Sequence, residues 1–201
     1  MKVLSLFDGI SCGMVALERA GIPIEKYYAS EIDEYAMKIS NKNYHEIIQL
    51  GDIRSVSEEV LDLIMPIDMI IGGSPCQDFS ISGLQAGGEV DSGTRSSLIW
   101  NSVEIIRHCK PKFVIWENVK NVLSDKHKHN FDKYLKTMDD MGYNSYYEVL
   151  CGTDYNIPQI RERIVVVSIR KDIDNCEFKF VKPVKVNNTF YDFLDEEVDE
   201  K

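Results

Sequence analysis

Short apolar runs recur along this chain at separations that leave room for a helix between them, and that alternation restricts the folds open to it. KVLSL at 2–6 and IDMII at 67–71 end at glycine-containing turns, and KFVIWE at 112–117 and RIVVVSI at 163–169 are similar. Such runs read as buried strands of a parallel sheet. KYYASE at 26–31, HEIIQLGD at 45–52 and YNSYYEVLC at 143–151 supply further strands. Between them CGMVALERAG at 12–21, EYAMKISNKNY at 34–44 and SLIWNSVEIIRHC at 97–109 carry helical spacing. Strand alternating with helix predicts an α/β fold: a mostly parallel, doubly wound sheet with helices on both faces.

At 201 residues and 44% hydrophobic content the chain supports one packed α/β core and not two large ones. No apolar run approaches the ~20 residues of a membrane span, and the start MKVLSLFDGI continues into glycines and charges unlike a signal peptide. A cytoplasmic location is therefore expected. The five cysteines show no CxxC pair, which argues for free thiols and against a disulfide framework or a zinc site. A net charge of −10 speaks against indiscriminate nucleic-acid binding. The charge is polarised, however. Residues 107–133 carry seven Lys/Arg against three Asp/Glu, while the last 31 residues carry five against nine. The basic stretch is a candidate contact patch, or equally a solvated helix face.

In doubly wound sheets ligands sit where loops leave the carboxyl ends of the strands. FDG at 7–9, Glu31, Asp52, SPC at 74–76 and ENV at 117–119 all fall at ends of predicted strands. FDGISCG occupies the place of a dinucleotide fingerprint without its GxGxxG spacing, although Gly9 and Gly13 still permit a tight strand-to-helix turn. Glu31 stands where a carboxylate can take both hydroxyls of a ribose. Asp52 is placed to accept from an adenine amino group, with Ile32 and Ile53 as apolar walls. The absence of GxxxxGK[ST] points to a nucleoside-type pocket without a phosphate cradle.

LFDGISCG, ASEID, GDI, GGSPCQDFS, ENV and PQIRER follow one another in this order over roughly residues 1–170. On these motifs the chain resembles the S-adenosylmethionine-dependent cytosine-5 DNA methyltransferases, and the resemblance implies a Rossmann-like methyltransferase fold. It also implies that S-adenosylmethionine is surrounded by Phe7, Gly9, Ile10, Glu31, Ile32, Asp52, Ile53, Pro75 and Leu98, with no metal. Cys76 is then the nucleophile that attacks C6 of a cytosine flipped out of double-stranded DNA, activating C5 for methylation. Neutral cytosine is a poor acceptor for a thiolate, so a carboxyl group acting on N3 is needed. Glu117 is the candidate, and burial beside FVIW would favour its protonated form. Arg161 and Arg163 are expected to hold the cytosine O2 or a flanking phosphate, and Asn118 to order the cysteine loop. The Gly/Ser-rich segment 80–97 is expected to close over DNA. Cys12 replaces the glycine that many bacterial members carry.

The resemblance divides the chain into a cofactor-binding and catalytic domain at 1–170 and an acidic tail at 171–201, expected to be frayed at its end and to lead toward a target-recognition region. With about the last third of a typical member absent, three explanations are open: the catalytic half of a split enzyme whose second polypeptide supplies recognition, a shortened form, or a minimal enzyme of relaxed specificity. Two other functions compete with DNA methylation. One is tRNA cytosine-5 methylation within the same family, and the other a catalytically silent binding or regulatory role.

Overall fold

The computed structural model describes residues 1–75, 98–184 and 188–194. Cys76, the segment 80–97 and the acidic end lie outside these residues.

Among the described residues seven strands, β1 (Lys2–Leu6), β2 (Lys26–Ser30), β3 (Ile48–Gln49), β4 (Met69–Gly72), β5 (Phe113–Val119), β6 (Tyr143–Cys151) and β7 (Glu162–Arg170), form one sheet in the order β3-β2-β1-β4-β5-β7-β6. β1 pairs in parallel with β2 and β4, and β4 in parallel with β5. Among the described residues five α-helices accompany the sheet: α1 (Cys12–Arg19), α2 (Glu34–Asn43), α3 (Glu58–Ile64), α4 (Ile99–Cys109) and α5 (Lys128–Asp140).

The pleat divides the core between two faces. Along β1, Val3 packs on one side with Met14 and Leu17 of α1, while Leu4 and Leu6 turn to the side that receives α3, α4 and α5. β4 and β5 repeat the division: Met69, Phe113 and Ile115 lie with α1, and Ile70, Val114 and Trp116 lie on the other side. Strands buried on both faces read as continuous apolar runs, which is why KVLSL and IDMII are legible as strands.

RIVVVSI resembles the other apolar runs, yet β7 enters antiparallel between β5 and β6. Consequently the beginning of β7, not its end, stands beside the end of β5: Arg163 pairs with Val119 and Glu162 with Cys151. A parallel strand at this place would have carried residues 161–163 to the opposite edge of the sheet. β3 is also far shorter than HEIIQLGD suggests, being paired only through Ile48 and Gln49.

Candidate active site

Sheet order reverses between β1 and β4, and the loops that leave these two strands open the crevice where such folds bind ligands. Leu6 lies opposite both Ser30 and Gly72, so the turns after β1, β2 and β4 begin side by side.

The turn after β1 alternates in handedness: Phe7, Gly9 and Ser11 all have positive φ, at 57°, 61° and 65°. This conformation suits Gly9 but strains Phe7 and Ser11. It aims the Gly9 N–H at Glu31, whose Oε2 accepts at 2.8 Å. Oε1 of Glu31 accepts from the N–H groups of Ile32 at 2.8 Å and Asp33 at 2.9 Å. Three backbone donors thus orient the carboxylate, and lone pairs remain for an incoming hydroxyl. Next to it Ile32 is 68% exposed and Ile10 47%, two large apolar side chains at the rim of the crevice.

The remaining pocket residues are placed differently. Asp52 accepts from the N–H and Nε of its neighbour Arg54, at 2.9 and 3.0 Å. These hydrogen bonds, the side-chain ones first, hold the Asp52 carboxyl below the usual carboxylate range. Any adenine amino group must therefore share Asp52 with a guanidinium. Ile53 is only 5% exposed and belongs to the core with Leu61 and Ile64, while Phe7 and Leu98 pack against that core from its edge. Pro75 is half-buried at the end of the β4 loop.

The stem of the cysteine loop is fastened to β5. Asn118, 1% exposed, donates through Nδ2 to the carbonyl and hydroxyl oxygens of Ser74 at 3.2 and 3.1 Å, and Trp116 Nε1 donates to the same hydroxyl at 3.1 Å. Asn118 Oδ1 in turn accepts from the Val119 N–H at 2.8 Å. Gly73 faces Glu117: a Cβ there would come within 3.0 Å of Glu117 Oε2. Glycine at 73 thus lets the loop pass directly under the carboxylate.

Glu117 Oε1 lies 2.9 Å from Arg163 Nε. The antiparallel register makes the pair a cross-strand diagonal, with Glu117 opposite Val165 and Arg163 opposite Val119. Burial of Glu117 among FVIW is not what the pleat provides, because Val114, Trp116 and Asn118 point inward and Glu117 to the other side, leaving its side chain 42% exposed. Its setting is an ion pair rather than an apolar pocket. Arg161 is exposed, and with Gln159, Ile160 and Lys120 it lines an open groove of about 330 Å³ beside that pair. Lys120 bridges this groove to Glu162 at 2.8 Å.

The fold brings together Glu117, Arg163, Arg161 and the stem of the loop before Cys76 in one place, and Gly9, Glu31, Ile10 and Ile32 in another along the same edge. A sequence model of C-5 cytosine-specific DNA methylases matches residues 1–201. The chain belongs to this family. Relatives include the type II methyltransferase M2.ScrFI of Lactococcus lactis subsp. cremoris, 40% identical over 84% of this chain and 44% of its own length. The type II methyltransferase M.HhaI of Haemophilus parahaemolyticus is 37% identical over 96% of this chain and 57% of its own. Among solved structures, a candidate DNA modification methyltransferase encoded within an E. coli prophage superposes with a TM-score of 0.71 at 26% identity, covering 92% of this chain and 52% of that one. The chain therefore spans about half the length of the relatives it matches. Cytosine-5 methylases use S-adenosylmethionine as methyl donor. Among the described residues no helix is long and apolar enough to cross a membrane.

Sequence reasoning overlooked two parts of this edge. Asp8 was singled out only as a strand-end residue within FDG, but it is buried beneath the turn and accepts from Tyr27 and Ser11. Ser74 is likewise marked in the sequence only as the first residue of SPC, whereas its importance lies in the Asn118 and Trp116 bonds it receives.

Proposed function

We propose that this chain is the catalytic portion of an enzyme that methylates C5 of cytosine in double-stranded DNA. The observation that carries the reading is the convergence of Glu117, Arg163 and the Ser74 stem of the cysteine loop at the carboxyl edge of the sheet. Cys76, two residues beyond Ser74, is the nucleophile. Its thiolate adds to C6 of a flipped-out cytosine, and Glu117, acting as the carboxylic acid after taking a proton from solvent, donates that proton to N3 so that the added electron density is held in the ring. Arg163 orients the Glu117 carboxyl, and Arg161 faces the O2 or flanking phosphate. Loss of the C5 proton after methylation expels the thiolate and frees the enzyme.

The residues after β1 and β2 fit the cofactor. Gly9 leaves open space where a side chain would stand, Glu31 keeps acceptor capacity for ribose hydroxyls, and the exposed Ile10 and Ile32 offer apolar surface to a ring. Phe7, Asp52, Ile53, Pro75 and Leu98 complete the surrounding, with Asp52 shared with Arg54. S-adenosylmethionine, when bound, supplies an electrophilic methyl group there. We assign residues 1–170 to catalysis and 171–201 to a tail leading toward target recognition, which a further segment or a second polypeptide supplies.

The test is mechanism-based trapping. Duplex DNA containing 5-fluorocytosine, with S-adenosylmethionine, should give a covalent adduct that Cys76→Ser abolishes. It should be run with the chain alone and with a polypeptide supplying target recognition. No adduct in either setting defeats the catalytic reading in favour of a silent binding role. Trapping on a tRNA analogue but not on duplex DNA moves the substrate to RNA.

A further inference from the structure

Beneath the turn that presents Gly9 to Glu31 lies a buried polar network that no step of the proposed reaction uses. Asp8, 9% exposed, accepts through Oδ1 from the Tyr27 hydroxyl at 2.8 Å and through Oδ2 from the Ser11 hydroxyl. Ser11 Oγ also lies 2.6 Å from Ser40 Oγ on α2, and Ser40 Oγ accepts from Gln49 Nε2 on β3 at 3.3 Å. One carboxylate thus links β2, the β1–α1 turn, α2 and β3.

Two details show what this linkage does. Ser11 stands at the N-cap of α1, where a serine ordinarily bonds the first free N–H groups of the helix. Here it makes no cap bond and serves Asp8 and Ser40 instead, at φ 65°. Left-handed backbone at Phe7 and Ser11 persists only where the surroundings over-determine it. Asp8 supplies that determination: its N–H donates to Ser30 O, its carbonyl accepts from the Ser11 N–H, and its side chain takes the Ser11 hydroxyl. Gly13 makes room for the arrangement, because a Cβ at 13 would stand 2.8 Å from the Tyr27 hydroxyl.

We propose that Asp8 is a positioning residue of the cofactor pocket, holding the turn at 7–11 in the geometry that places the Gly9 N–H on Glu31. The inference rests on the reading of Gly9 and Glu31 as cofactor-holding residues. The Asp8 carboxylate is engaged by the hydroxyls of Tyr27 and Ser11 beneath the turn. It acts through the turn, and Tyr27 acts through Asp8.

Calorimetric titration of the full chain with S-adenosylmethionine, together with amide exchange at Gly9, tests this. Asp8→Asn turns one acceptor into a donor and should weaken binding about tenfold, with faster exchange at Gly9. Tyr27→Phe removes a single hydroxyl and should give a smaller loss in the same direction on a folded protein, should Asp8→Asn fail to fold. Ile106→Val, in the core on the far face of the sheet, should lower the thermal midpoint without altering affinity or Gly9 exchange. A double-mutant cycle adds a readout that general destabilisation would not produce: Gly13→Ala should harm binding in the parent and be nearly silent beside Tyr27→Phe. Unchanged affinity and unchanged Gly9 exchange in both Asp8→Asn and Tyr27→Phe overturn the proposal. A parent chain that fails to bind S-adenosylmethionine, while Gly9 exchange still responds to Asp8→Asn, overturns instead the assignment of the pocket.

Discussion

Arg163 Nε meets Glu117 Oε1 at 2.9 Å across a diagonal that exists only because β7 runs antiparallel to β5. The pair is partly exposed, so its worth to stability is small. Its worth to the proposed reaction is positional: Arg163 holds one carboxyl oxygen of Glu117 through Nε while its Nη1 donates to the Glu162 carbonyl at 2.8 Å.

Glu117→Gln should therefore slow adduct formation with 5-fluorocytosine DNA by about 10²–10⁴ while leaving the urea midpoint nearly unchanged. Arg163→Lys keeps the charge but cannot hold Glu117 and the Glu162 carbonyl at once as Nε and Nη1 do, and it should fall between the parent and Glu117→Gln. Equal trapping rates for all three proteins would sink the role given to this pair.

Asn118→Ala should destabilise the fold. It removes a side chain that is 1% exposed and leaves the Ser74 carbonyl and the Val119 N–H without their partner. Each orphaned buried group costs about 1–3 kcal/mol, so a loss of about 2–4 kcal/mol is expected by urea unfolding. Trp116, which donates to the same Ser74 hydroxyl, offers a fluorescence report on the loosened stem.

His127 is 2% exposed, and burial first, then the positive charges of Lys126 and His129, hold its imidazole below its ordinary value. The fold therefore favours the neutral ring. Its contribution is fully present above the unfolded value of about 6.5. As pH falls below that, the unfolded chain takes up a proton that the native state does not, and stability declines until the lowered native value has been passed. Urea midpoints measured from pH 7.5 to 5 should fall more steeply in the parent than in His127→Gln. Parallel profiles would remove His127 as the cause.

Thiol labelling in a Cys76→Ser background should separate the remaining cysteines. Burial, and then the negative charge of Asp62, push the Cys109 thiol up to about 11, whereas Cys12 and Cys176 are exposed. The Thr153 hydroxyl, donating at 3.2 Å, draws the half-buried Cys151 thiol below its ordinary value. Peptide mapping after a brief pulse of iodoacetamide at pH 8 should find Cys12, Cys151 and Cys176 modified and Cys109 protected. Rapid modification of Cys109 in the native state would contradict its placement.

The legible parts of the fold were those whose signal is local. β1, β2, β4 and β6 fall where their apolar or aromatic runs place them, and Glu31 and ENV sit at strand ends as read. α3 and α5 were passed over although both carry signals. Ser57 with Glu58 and Glu59 is a helix start, its hydroxyl accepting from the Val60 N–H, and Phe131, Tyr134 and Met138 keep a helical period beneath a surface of charges that masks it. The direction of β7 was hidden for a different reason. An apolar run buried on both faces looks the same whichever way it points, and only its partners decide. The setting of Glu117 is not legible from the sequence because proximity to FVIW along the chain is not proximity in space: the pleat sends neighbouring side chains to opposite faces. The Asp8 network was hidden because two adjacent tyrosines differ only in strand parity: Tyr27 faces Asp8 and Gly13, and Tyr28 the other core.

The contact between the Tyr27 hydroxyl and the place where a Cβ at Gly13 would stand sets an order in which this family member can change. Losing the hydroxyl first opens a space into which alanine can later settle at 13. Gaining alanine first must pass through a crowded intermediate. Descendants of this sequence should accordingly reach that paired replacement by one route, with phenylalanine at 27 as its gateway and glycine at 13 the last to yield.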